Sequence, residues 1–191
     1  MANTLLPAQQ YSHILLRKHV KEGDIVIDAT IGNGHDTVLL AELVGTKGKV
    51  IGVDIQAQAI EHTTQRLIAH QLYDRCELVQ IGHQHLDTLI SNQIISTAIF
   101  NLGYLPGSNK HIITQSHHTI CAMQHILKQL KQNGLLILVV YYGHVGGKEE
   151  QDDILKFVKH LPQKDYTVLN YAFLNQVNSP PHAIAIEKLR S

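Results

Sequence analysis

The apolar residues of this chain fall into two rhythms that alternate from one end to the other. "YSHILLRKHV" (residues 11–20) sets Ile14, Leu15 and Leu16 against a polar remainder, which predicts an amphipathic helix ended by Gly23. "DIVIDA" (24–29) is a short apolar run and reads as a strand. "DTVLLAELV" (36–44) returns to helical spacing, with Val38, Leu39, Ala41 and Leu43 able to bury one face. "KVIGVDI" (49–55) is a second strand. "AQAIEHTTQRLIAHQ" (57–71) places Ile60, Thr64, Leu67 and Ile68 at helical spacing, and "CELVQIG" (76–82) is a third strand.

The alternation continues with a strand at "TAIFNL" (97–102), a loop, and a long helix whose buried stripe is Ile113, Ile120, Met123, Leu127 and Leu130, with Gly134 as its C-terminal cap. "LLILVVYY" (135–142) is apolar on both faces, as a central parallel strand must be when helices cover both sides of a sheet. "KEEQDDILKFVKHL" (148–161) opens with acidic residues that complement a helix dipole. "YTVLNYAFLNQ" (166–176) and "HAIAIEKL" (182–189) then follow one another with no helix between them. The sum is an α/β, Rossmann-like open sheet of seven strands, mostly parallel, with helices on both faces and an antiparallel C-terminal hairpin at one edge. One domain spans residues 1–191, with 1–22 as a leading helical extension suited to covering a cofactor or to a homodimer contact. Ligands of such sheets bind beyond the C-terminal strand ends, so the motifs there carry the chemistry.

Composition narrows the picture. At 191 residues, 44% hydrophobic and 17% charged, the chain is globular in character rather than disordered. Its longest apolar runs fall far short of the roughly 20 residues that cross a bilayer, and the first 20 residues lack a basic segment ahead of an apolar stretch, so an intracellular, cytoplasmic protein is expected. Sixteen basic and sixteen acidic residues leave no net charge, so any nucleic-acid contact must be a local patch. Two cysteines, Cys76 and Cys121, form no metal or disulfide pattern. Among the fourteen histidines, His83/His85 and His117/His118 lack helical zinc spacing and adjoining ligands, so no metal is expected.

At the first strand end stands "DATIGNGHDT". A dinucleotide fingerprint would place its third glycine where Thr37 stands, and a phosphate loop would need GxxxxGK followed by Ser or Thr, which does not occur. Asp28 four residues before the Gly32–Gly34 turn disfavours a phosphate and suits a cationic ligand; it either orders the loop or accepts hydrogen bonds from an ammonium group. Asp54 ends the second strand 20 residues after Gly34, the separation of a carboxylate that accepts both hydroxyls of a ribose; alone it would read as a helix N-cap. His83, after the third strand, either contacts a base or is a surface turn residue. "FNLGYLPGSNK" ends the fourth strand: Asn101 offers an amide oxygen, Leu102 to Tyr104 backbone carbonyls, and Tyr104 a ring, which together could hold an amine, unless the segment is a plain turn.

"DATIGNG", Asp54 and "NLGY" resemble the class I S-adenosylmethionine (SAM)-dependent methyltransferases, with "NLGY" a variant of their NPPY amine-methylation motif. More narrowly, "DATIGNGHDT", "FNLGYLPGSNK", "VVYYGHVGGKEEQ" and "FLNQVNSPPHAIAIEK" resemble the small bacterial family labelled rRNA methylase, also called YtqB-like. Its MnmM type methylates the aminomethyl nitrogen of 5-aminomethyl-2-thiouridine at the tRNA wobble position. The resemblance implies a SAM site built from Asp28, Thr30, Gly32, Asn33, Gly34, Asp36, Thr37, Asp54, Ile55, Gln56, His83, Asn101, Leu102 and Gly103. It implies Asn101, Tyr104 and His144 as catalytic residues, the last either a proton acceptor or a mere loop residue, and a tRNA anticodon region as partner. Tyr104, Lys110, Tyr142, His144 and Lys148 would meet that substrate, the tyrosines as stacking candidates and the lysines, with Arg17 or Lys18, as phosphate candidates, although each lysine alone reads as a solvated surface charge. Because "NLGY" lacks both prolines, the carry-over covers Asn101 and Tyr104 but not the rigid diproline. Other acceptors (ribosomal RNA, a small-molecule amine) and other classes (an NAD(P)-dependent oxidoreductase, a non-catalytic RNA-binding module) are the alternatives; the missing third glycine and the final hairpin weigh against the oxidoreductase.

Overall fold

The computed structural model describes residues 4–103 and 115–190. Thirteen elements follow in chain order: α1 (Ala8–His19), β1 (Ile25–Asp28), α2 (His35–Val44), β2 (Lys49–Asp54), α3 (Ala57–Ala69), β3 (Cys76–Gln80), α4 (Asp87–Ile90), β4 (Ile95–Leu102), α5 (Ser116–Gln129), β5 (Leu130–Val140), α6 (Gly147–Lys159), β6 (Tyr166–Tyr171) and β7 (His182–Lys188). All seven strands join one sheet in the order β3-β2-β1-β4-β5-β7-β6. The body from β3 to β5 is parallel, and β7 enters antiparallel between β5 and β6. The predicted open sheet of seven strands, mostly parallel with an antiparallel C-terminal hairpin at one edge, is therefore the observed one. The sheet order reverses around β1 and β4, whose C-terminal ends, Asp28 and Leu102, flank the crevice where such sheets bind ligands.

Two apolar layers cover the sheet. On one side Ile27, Ile51, Phe100, Leu136 and Leu138 meet Met123, Ile126 and Ile154 from α5 and α6. On the other, Val26, Val50, Ile99 and Ile137 meet Leu16 of α1 and Leu40 and Val44 of α2. Fully burying side chains of this size contributes about 1.5–3 kcal/mol each. The residues expected as a leading extension are thus integral to one layer, since α1 inserts Leu16 and Ala8 among sheet residues. Among the described residues no helix is long and apolar enough to cross a membrane.

Three local expectations differ. On α3 the buried stripe is Ala59, Thr63 and Leu67 rather than Ile60, Thr64, Leu67 and Ile68; Ile68 is 59% exposed. Small side chains face inward there because α3 lies against the glycine loop after β1, where Thr63 Oγ1 lies 3.5 Å from the Gly32 carbonyl. On α5 the helix ends at Gln129, and Leu130 already pairs with Ile95, so Gly134 is not its cap. The chain instead turns within β5 at Asn133, whose φ is 59°, and the continuous ladder begins at Leu135. Ile113 of the expected stripe lies outside the described residues. Gly23, at φ +88°, turns the chain into β1 four residues beyond the end of α1.

Candidate active site

Asp28, the last residue of β1, is fully buried. Its Oδ2 accepts the Thr37 hydroxyl at 2.6 Å and its Oδ1 accepts the Thr30 N–H at 3.2 Å. Burial, and then the charge of Asp36, push this carboxyl up to about 7. Of the two readings for Asp28, loop ordering is the one its bonds display. Thr37, at the position where a dinucleotide fingerprint has glycine, supplies the hydroxyl that ties α2 back to the strand. Gly32 and Gly34 both have positive φ, and a Cβ on Gly34 would stand 2.5 Å from Thr63 Oγ1, so the loop lies directly on α3. Asn33 is exposed at its tip.

Asp54 closes the same loop from β2. One oxygen accepts the Gly32 N–H at 3.0 Å and the other the Gln56 N–H at 2.9 Å. A carboxylate has about four acceptor positions, so each oxygen keeps a lone pair for a hydroxyl. Ile55 beside it is 52% exposed and Gln56 half-buried, so both line the rim. After β3, His83 lies edge-on to Phe100 with ring centroids 5.6 Å apart, and burial holds its imidazole down to about 4, hence neutral. Its Nε2 is buried with no hydrogen-bond partner among the described residues.

Asn101 occupies the end of β4. Its backbone N–H donates to Thr30 Oγ1 at 2.6 Å, and its side-chain Nδ2 donates to Asp36 Oδ2 at 2.7 Å. Its Oδ1 is buried with no protein partner among the described residues. Asp36, expected among the cofactor contacts, gives both oxygens to protein: the second meets His13 Nε2 at 2.6 Å. The Leu102 carbonyl, expected to face an amine, accepts the Tyr141 N–H at 2.9 Å. Gly103 follows at φ +145°, where a Cβ would stand 3.1 Å from Tyr141 Cβ and 3.6 Å from His144 Nε2.

The structure therefore brings His144 to the end of β4. Its Nδ1 lies 3.0 Å from the Val145 carbonyl, an acceptor, so Nδ1 carries the proton and Nε2 is the basic nitrogen. Tyr142 is half-buried and meets His182 edge to face at 5.8 Å; His182 is itself held between Asn170 and Gln151. Lys148 is exposed in the first turn of α6. Arg17 and Lys18 are not brought to the site: α1 carries them toward its far end, where Lys21 Nζ donates to the Lys18 carbonyl. Tyr104 and Lys110 lie outside the described residues. Sequence reasoning missed His13 and Tyr141. His13 reads as one more polar position on an amphipathic helix, and only the packing of α1 on α2 places it at Asp36.

The Thr4–Ala8 and Phe173–Pro181 segments border a further cavity of about 440 Å³ at the same end of the sheet, beyond β7. It lies apart from the Asp28, Asp54 and Asn101 cluster, and none of those residues lines it.

Comparison with known proteins places this geometry in a family. Residues 50–187 match the family described as "Putative rRNA methylase". The chain is 36% identical over 182 residues to the chloroplastic tRNA (mnm5s2U34)-methyltransferase of Arabidopsis thaliana, covering 91% of this chain and 66% of that protein. It thus spans about two thirds of the plant relative's length. A crystal structure from Clostridium thermocellum bearing the family's description superposes with a TM-score of 0.96 at 42% identity, covering 98% of this chain and 100% of the other. A methyltransferase from Streptococcus mutans, solved in complex with SAH, gives 0.88 at 39% identity over 99% and 100% of the two chains. The chain belongs to this rRNA methylase family of SAM-dependent, class I methyltransferases.

Proposed function

We propose that this member of the rRNA methylase family methylates a primary amine on tRNA, the aminomethyl nitrogen of 5-aminomethyl-2-thiouridine at the wobble position, as the name of its plant relative indicates for that protein. The observation that carries the amine reading is the Asn101 Oδ1, a buried acceptor at the end of β4 without a partner among the described residues. A buried amide oxygen left so costs about 1–3 kcal/mol unless a ligand satisfies it. An amine N–H is a fitting donor, and accepting it aims the nitrogen lone pair away from Asn101.

The residues present fit SAM. Asp54 keeps acceptor positions for the ribose hydroxyls, the Gly32–Gly34 loop permits close approach, and the His83 Nε2, buried without a partner among the described residues, is left for the base. When bound, SAM supplies a methyl group already activated on a sulfonium sulfur. The rest is positioning. An alkylamine is mostly protonated at neutral pH, its pKa being near that of lysine at about 10. A site at which Asn101 is withdrawn from water favours the neutral form, whose lone pair forms the new N–C bond as the S–C bond breaks. The nitrogen then sheds one proton, for which His144 Nε2 is the nearby acceptor. Tyr142, braced by His182, offers a face for the base, and Lys148 a charge for a phosphate. A cytoplasmic setting is part of the same proposal.

The test incubates the protein and labelled SAM with tRNA from cells lacking the activity, followed by nucleoside mass spectrometry. Label on the wobble uridine amine is expected; label confined to ribosomal RNA would overturn the acceptor assignment. In the same assay Asp54→Ala is expected to weaken cofactor binding chiefly, by the loss of hydrogen bonds contributing about 1.5–3 kcal/mol each. Asn101→Ala is expected to lower kcat chiefly, on the order of 100-fold. Equal losses of SAM affinity in both variants would contradict this division.

A further inference from the structure

The side-chain amide of Asn101 has two ways to sit, and only one serves an amine. The Asp36 carboxylate decides between them. Oδ2 of Asp36 is 2.7 Å from the Asn101 amide nitrogen; turning the amide over would set two oxygens against each other at that distance. Asp36 itself is 4% exposed, in the first turn of α2, and could rotate unless its other oxygen were held. His13 holds it: Nε2 lies 2.6 Å from Asp36 Oδ1, 23 residues away along the chain. A hydrogen-bonded series therefore runs from His13 on α1 through Asp36 on α2 to Asn101 on β4, and ends on Oδ1, which has no partner among the described residues. Tyr141, whose phenol is pushed up by burial and by the charge of Asp36, closes the same corner just beyond the end of β5.

We propose that His13 is a positioning residue of the methyl-transfer site: it fixes the Asp36 carboxylate, which fixes the Asn101 amide with its oxygen toward the acceptor amine. The proposal rests on the reading of Asn101 as the amine-orienting residue. Asp36's pull on the amide N–H also adds negative character to Oδ1, while His13 acts by holding the carboxylate that exerts that pull. It gives α1 a catalytic purpose beyond burying Leu16. His13 touches neither the loop at Gly32 nor Asp54, so SAM affinity should be indifferent to it.

The experiment uses the full chain, SAM and the same tRNA. His13→Ala is expected to lower kcat on the order of 10- to 100-fold while the Kd for SAM and the KM for tRNA stay within about twofold. His13→Gln, which places an amide N–H near the position of the imidazole Nε2, is expected to restore most of the rate. A packing role would instead lower thermal stability and gain nothing from glutamine. The direct readout is the Asn101 side-chain amide in 15N–1H NMR spectra without acceptor. One of its protons is expected downfield because of the carboxylate, and it should move in His13→Ala and return in His13→Gln. Should tRNA go unmethylated by wild type while this signal still responds to His13, the acceptor reading falls and the positioning series stands. Should both variants keep wild-type kcat and an unmoved Asn101 signal, the proposal is overturned.

Discussion

Asp28 is a carboxyl group that burial and Asp36 bring to about 7, within the range where the cell's pH decides its charge. Raised above the usual carboxylate value, it binds its proton more tightly in the folded chain than in the unfolded one. Its contribution to stability is therefore greatest at low pH and is lost as pH rises from the ordinary carboxylate range through about 7. A cationic cofactor reverses the preference, because a positive charge nearby favours the ionised form. SAM binding near pH 7 should release a proton, and affinity should rise between pH 6 and 8. Calorimetry in buffers of different ionisation enthalpy measures the release directly. Asp28→Asn is expected to abolish it, and proton uptake in the wild type would contradict the account. Asp28 and Asp54 were legible in the sequence because each ends a strand at a fixed distance from the glycine turn. Asp36 was legible as part of the motif, but its partners were not. Its bonds to His13 and Asn101 depend on packing between elements 23 and 65 residues apart.

The glycine turn shows how one element constrains its neighbour. Gly34 adopts φ +76°, which costs an L-residue roughly 1–2 kcal/mol, and its missing Cβ leaves space that Thr63 of α3 occupies. Gly34→Ala should destabilise the chain by about that amount plus the collision, and should weaken SAM binding by displacing the loop. Adding Thr63→Ala removes the two shortest contacts, Oγ1 at 2.5 Å and Cγ2 at 2.8 Å, together with the long Oγ1 contact to the Gly32 carbonyl, so the double variant should recover part of the stability and retain the backbone cost, as denaturant unfolding would measure. Full recovery would show that strain in φ plays no part. The same contact explains why helical spacing misidentifies the buried stripe of α3. Hydrophobicity favours Ile60 and Ile68, but the loop admits only Ala59 and Thr63. Likewise the helical spacing carries the C-cap of α5 four residues too far, to Gly134 instead of Leu130, because apolar Leu130 continues that spacing while its backbone already pairs with Ile95. The strands remain legible despite such errors because their largely buried stretches, 25–27, 50–53, 98–100 and 135–140, are almost wholly apolar.

Across the molecule as a whole, a formal charge of zero limits how it can hold a polyanion. The sequence implied a local patch, and the structure removes two of its candidates, since α1 leads Arg17 and Lys18 away from the end of the sheet that carries Asn101. Lys148 remains exposed at that end, and Lys110 follows Gly103 in sequence. If those two make the phosphate contacts, few counterions are released on binding. For single-stranded RNA each contact contributes about −0.7 to the slope of log K against log salt, so a slope of about −1.4 is expected. Binding measured between low and physiological salt tests this, and Lys148→Ala should reduce the slope by one contact's share without changing which nucleoside is methylated. A slope several times steeper would mean that a basic surface elsewhere does the holding. A shallow slope would leave recognition to the base itself, captured by stacking and by the amine's hydrogen bond to Asn101. Selectivity would then reside in the same buried oxygen that orients the nucleophile, and Asn101→Ala should blunt discrimination between modified and unmodified wobble uridine as well as the rate.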